Sequence, residues 1–173
     1  MSAKLESGNE KEDLQHAAVR EFIKAYNLQH LDEPIALARF GDSPDAFIRL
    51  GDDEFGVEVG HCYGTGFDSR NRLGRAGNDR TIRLDPGLRN AHIENAIVPL
   101  DQRFIPELNR LLAEKAVMRY GTLCWLLIRN AFPFYEKADI ERILPSIEMP
   151  GHNYRQIWIL CGADAGSGLL RLA

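Results

Sequence analysis

The sequence predicts an α/β (α+β) domain, and three observations predict it. Apolar residues recur at helical spacing over residues 14–28 and again over 101–120. Residues 34–62 alternate or cluster apolar side chains in short runs broken by Gly41-Asp42-Ser43-Pro44 and Gly51-Asp52, the pattern of an antiparallel meander. Residues 123–128 and 157–161 are continuous apolar runs of strand length, as in strands buried on both faces.

Taken in order, residues 1–13 are polar and charged without an apolar run and read as a flexible N-terminal arm. Residues 14–173 then form a single domain, a usual size for one. Leu14, Ala18, Phe22 and Ala25 or Tyr26 mark the buried face of the first helix. Strands follow over 34–40, 45–50 and 54–62. Residues 63–98 lose all periodicity and are rich in glycine and arginine, an insertion longer than an ordinary connection. The helix over 101–120 carries the stripe Phe104, Leu108, Leu111, Leu112 and Met118, with Gly121 in the capping position. A strand at 123–128, a short helix at 138–147, a strand at 156–161 and an edge strand at 169–172 complete the order.

Composition narrows the function classes. A formal charge of -4 on 173 residues does not mark a general polyanion binder. Cys62, Cys124 and Cys161 are odd in number and lack zinc-ligand spacing, so they read as buried free thiols. Free thiols suit a reducing compartment, and with no signal-peptide core and no apolar stretch of about 18 residues the expectation is a cytoplasmic protein without a membrane span. Gly162–Gly168 is a glycine loop without the Lys-Ser/Thr ending of a phosphate-binding loop.

The chemistry concentrates in the meander. If Gly51-Asp52 is a two-residue hairpin loop, Leu50 pairs with Asp53 and the register carries Asp45 opposite Glu58. Opposed residues share a face with Cβ atoms roughly 4.5–5.5 Å apart. Carboxylates that close disfavour double ionisation unless a cation compensates them, and a divalent metal is one such cation. An ordinary hairpin, with Pro44-Asp45 as a turn element, is the competing reading.

Pro44-Asp45-Ala46-Phe47-Ile48 followed by Gly56-Val57-Glu58-Val59-Gly60, within this element order, resembles the PD-(D/E)xK nuclease superfamily. The resemblance covers roughly residues 14–161. It implies a restriction-endonuclease-like αβββαβ core, a central mixed sheet flanked by helices. It also implies magnesium- or manganese-dependent hydrolysis of DNA or RNA phosphodiester bonds. Asp45, Glu58 and the carbonyl of Val59 match the metal ligands. The motif lysine, two residues past the glutamate, is Gly60 here, so a catalytically inactive module for nucleic-acid or protein binding is the alternative.

Three further groups enter on this basis. Lys115 lies on the apolar stripe of its helix and either replaces the missing lysine or covers apolar surface with its stem. Glu21 either reaches the metal or forms a surface ion pair with Lys24. Arg70, Arg72, Arg75 and Arg80 in the insertion either grip nucleic-acid phosphates or form a solvated loop or a subunit contact, as in a homodimer. His61 alternates to the face opposite Glu58 and reads as a core or edge histidine.

Overall fold

A computed structural model describes residues 3–63, 100–132 and 135–173, with side chains from residue 10 onward. The arginines of the insertion, Arg70, Arg72, Arg75 and Arg80, lie outside the described residues.

Six strands form one mixed sheet in the order β1-β2-β3-β4-β5-β6, and helices cover both faces. The strands are β1 (Ile35–Phe40), β2 (Ala46–Leu50), β3 (Asp53–Cys62), β4 (Cys124–Asn130), β5 (Gln156–Leu160) and β6 (Leu169–Arg171). The helices are α1 (Ala3–Gln29), α2 (Leu100–Ala116) and α3 (Lys137–Ile143). β1, β2 and β3 are antiparallel, β3, β4 and β5 run parallel, and β6 returns antiparallel at the edge.

The meander forms as its turn residues dictate. Gly51 adopts φ 59°, a left-handed conformation that glycine takes at little cost, and Leu50 pairs with Asp53. From there the register runs to Ala46 opposite Val57. Arg49 sits opposite Glu54 and forms an ion pair with it at 3.6 Å, as the sequence register requires.

The central strands bury both faces by period-2 alternation. Trp125, Leu127, Trp158 and Leu160 pack against Val19, Phe22 and Tyr26 of α1. Leu126, Ile128, Ile157 and Ile159 pack on the other side against Phe104, Leu108 and Leu112 of α2 and Ile140 of α3. The three cysteines are buried, and burial pushes the thiols of Cys124 and Cys161 up to about 12.

Two helix boundaries differ from the sequence reading. α1 begins at Ala3, so the expected arm is largely helical. Its Ala, Leu, Glu and Lys residues have good helix propensity and extend a helix already nucleated by the packed segment. α2 stops at Ala116 rather than Tyr120, and Gly121 is not a left-handed cap. Its last carbonyls find partners elsewhere: Met118 N–H donates to Lys115 O, the Arg119 guanidinium to Ala116 O, and Tyr154 OH to Lys115 O, all at 3.1–3.2 Å. Val117 and Met118 are exposed, so a further turn would bury no apolar surface there.

Candidate functional site

Asp45 and Glu58 come together at the end of β2, as the register predicts. Pro44, which follows a cis peptide bond, lies flat on Gly56; a Cβ on Gly56 would approach Pro44 Cγ to 2.5 Å. This close packing fixes the residue that follows. Asp45 is 8% exposed, and its Oδ2 accepts the Val59 N–H at 2.7 Å. Its Oδ1 accepts Gln15 Nε2 from α1 at 2.8 Å. Glu58 is 7% exposed, and its Oε1 accepts Lys115 Nζ from α2 at 2.5 Å. The sheet thus delivers two carboxylates, and a helix on each face delivers one partner to each.

Of the two positions the sequence left open for Lys115, the structure places its amine on Glu58. Leu111, one helical turn before it, packs on Gly60: a Cβ there would meet the Leu111 methyls at 3.2 Å. The space next to Glu58 that a residue-60 side chain would enter is therefore filled by α2, and α2 brings its own amine. Gly60→Lys is expected to destabilise the fold by about 1–3 kcal/mol through overpacking. It should not raise any hydrolytic rate. A thermal melt alongside a cleavage assay checks this, and a more active or unshifted variant would contradict it.

Glu21 is not brought to the pair. One oxygen pairs with Lys24 at 2.6 Å, and the other accepts the Ala165 N–H at 3.0 Å, tying α1 to the loop before β6. The residues that α1 does contribute to the cleft are Lys11, Leu14 and Gln15. The sequence held a signal for Gln15. It lies in line with Val19 and Phe22, so a polar group falls on an apolar stripe and calls for a partner.

The electrostatics follow from burial. Burial pushes the Asp45 carboxyl up from 3.8 to about 6; the Val59 N–H opposes this, Glu58 adds to it, and Lys115 and Lys11 oppose it. Burial holds His61 down at about 4, with Arg129, Lys11 and Lys115 adding positive charge around it. Burial, more than the neighbouring Glu58 charge, is what raises the Asp45 carboxyl.

These groups line a cleft of 480 Å³ between the first half of α1 and the end of α2, which also holds His61, Tyr63, Arg110 and Glu114. In a strand, N–H and C=O of one residue point the same way. Val59 donates toward β2, yet the β2 ladder ends at Ala46 opposite Val57. The Val59 carbonyl therefore faces the end of β2 beside the Asp45 carboxylate, with no β2 residue paired to it. Among the described residues no group of three or more His, Cys, Asp or Glu side chains is gathered as a metal cage. An ion here would rest on two carboxylates and that carbonyl, the donor set of a hard cation that keeps several waters.

A larger cavity, 780 Å³, opens at the ends of β4 and β5 beside α3. Its buried Asn130 amide is already satisfied, donating to Tyr135 O and Cys161 O at 3.0 Å and accepting Phe132 N–H at 3.0 Å. That side chain works as a strut.

Compared with protein-family models, curated proteins and solved structures, the chain finds no significant match. None of the described helices is long and apolar enough to cross a membrane. What the coordinates define is the class: an α+β domain with a six-stranded mixed sheet flanked by helices and a buried carboxylate pair at the end of its meander.

Proposed function

We propose that this chain is a PD-(D/E)xK-like, restriction-endonuclease-type protein that hydrolyses phosphodiester bonds of DNA or RNA with magnesium or manganese. The observation that carries the reading is the 2.5 Å contact of Lys115 with Glu58, beside Asp45, in a cleft where Leu111 fills the space of the motif lysine. Asp45, Glu58 and the Val59 carbonyl would hold the ion, and the raised Asp45 carboxyl marks a site that a cation relieves. When bound, such an ion polarises the phosphate and generates hydroxide near neutral pH. Lys115 places positive charge where charge develops on the phosphate, and Gln15 orients the Asp45 carboxylate. Arg70, Arg72, Arg75 and Arg80 are the proposed phosphate contacts.

A second reading has its own observation. Lys115 already neutralises Glu58, as in an ion pair that only closes a nuclease-like fold used for binding. Magnesium or manganese titration and a mixed DNA and RNA cleavage panel separate the two. The enzyme gains roughly 2.7 kcal/mol of stability at a hundredfold excess of metal over its dissociation constant. It also cleaves, and Glu58→Ala abolishes both effects. A thermal shift without cleavage supports the binding module. Neither effect, or equal cleavage by Glu58→Ala, overturns the catalytic reading.

A further inference from the structure

His61 is a costly residue for the free fold. Both ring nitrogens are closed off from solvent and have no hydrogen-bond partner among the described residues. A neutral imidazole carries one donor and one acceptor, and leaving either buried and unmade is unfavourable. Such a group calls for an explanation, and here it lies in the wall of the carboxylate cleft. Tyr63, just past the end of β3, lines the same cleft, with its ring centroid 6.0 Å from that of His61 and tilted by 39°.

We propose that His61 and Tyr63 form a nucleobase subsite beside Asp45 and Glu58: the imidazole bonds a base edge and the phenol ring stacks on its face. The inference rests on the nucleic-acid reading of the cleft and extends it from the phosphate to the base. The ligand class follows from what the imidazole lacks. A phosphate offers only acceptors and would leave the accepting nitrogen unpaired. A metal would engage only the lone pair and leave the N–H unpaired. A base edge presents donors and acceptors together. Every base also has a π-face, so an adjacent ring adds affinity without demanding a sequence. Binding would use a half-turn of the imidazole about Cβ–Cγ, which exchanges nitrogen and carbon positions. Lys11 and Lys115 line the same cleft and supply charge for the flanking phosphates.

The test compares binding of a fluorescent single-stranded 12-mer with that of its abasic counterpart, for the full chain in calcium, so that binding is read without turnover. Wild type should favour the base-containing strand by at least about tenfold. His61→Phe keeps the ring shape and removes both orphaned nitrogens. It should raise the melting temperature by roughly 2–6 °C yet weaken the base-containing strand about five- to tenfold. Tyr63→Leu should weaken that strand about tenfold, and neither variant should change abasic binding. Gain of stability with loss of affinity is the signature that a merely structural histidine would not give. Equal binding of the two strands by wild type, or wild-type affinity in His61→Phe, overturns the subsite. So does failure of wild type to bind either strand. The catalytic reading is judged separately: base-dependent binding without metal-dependent cleavage leaves the subsite standing and removes the enzyme, whereas cleavage indifferent to His61 and Tyr63 does the reverse.

Discussion

Lys115→Met is expected to lower metal-dependent cleavage by at least about 100-fold and to destabilise the metal-free protein by about 2–4 kcal/mol at pH 7.5. Both effects have one origin. The Lys115 amine is the cation bonded to Glu58, a carboxylate 7% exposed with Asp45 beside it. Removing one partner of a largely buried pair leaves an uncompensated charge, which costs more than the pair itself is worth. Methionine keeps the unbranched stem, so packing against Leu111 is little disturbed and the loss is electrostatic. Two checks isolate it. Glu58→Gln in the Lys115→Met background should recover most of the lost stability, because the stranded charge is gone, while leaving activity absent; a double-mutant cycle reads the coupling. Magnesium should also narrow the gap in melting temperature between Lys115→Met and wild type. If Lys115→Met melts like wild type, or cleaves within about threefold of it, the amine is a bystander.

That Lys115 needs water or a carboxylate partner was legible in the sequence for a physical reason; which of the two it takes was not. A lysine in line with Phe104, Leu108 and Leu111 must find water or a carboxylate, and the helix cannot hide it. The Asp45–Glu58 juxtaposition was legible because a glycine at residue 51 fixes the loop length, and period-2 alternation does the rest. The element order and the two-sided burial of β4 and β5 followed from run length and apolar content alone. Helix ends were not legible in the same way. α1 extends through a charged segment whose local pattern shows no buried face, and α2 ends where Arg119 and Tyr154 take its carbonyls, contacts made through residues 3–39 positions away. Glu21 was legible only in part. Its ion pair with Lys24 is local and was one of the two readings, whereas its second partner is the backbone of Ala165, 144 residues on. Local periodicity assigns faces well; it does not say which side chain on a face meets which distant backbone group.

Asp45→Asn is expected to stabilise the protein near neutral pH, against the usual direction for a substitution at a buried, doubly hydrogen-bonded residue. In the fold, burial raises the Asp45 carboxyl from 3.8 to about 6. The folded state therefore holds a proton that the unfolded chain has lost between those values. Stability contributed by this group is complete below about pH 4, falls as pH rises through the window from about 4 to 6, and is absent above it. The total is about 3 kcal/mol at most, from roughly two units at 1.36 kcal/mol each. Asparagine has no proton to lose, and its oxygen still accepts the Val59 N–H. Gln15 can turn its amide to accept from the new NH2 where it formerly donated to Oδ1. The variant should accordingly melt with wild type at pH 4 and above it at pH 7.5, by several degrees. Its melting temperature should stay flat across the window in which wild type declines. Magnesium tests the same physics from the other side. A cation restores to the ionised Asp45 what burial removed, so wild type should gain stability on adding metal at pH 7.5 and Asp45→Asn should gain little. Parallel pH profiles for the two proteins would show that Asp45 is not strained by ionisation, and the argument for a cation at this pair would lose its electrostatic basis. A flat Asp45→Asn profile with no metal response in wild type would instead leave the strain real and assign its relief to something other than a divalent ion.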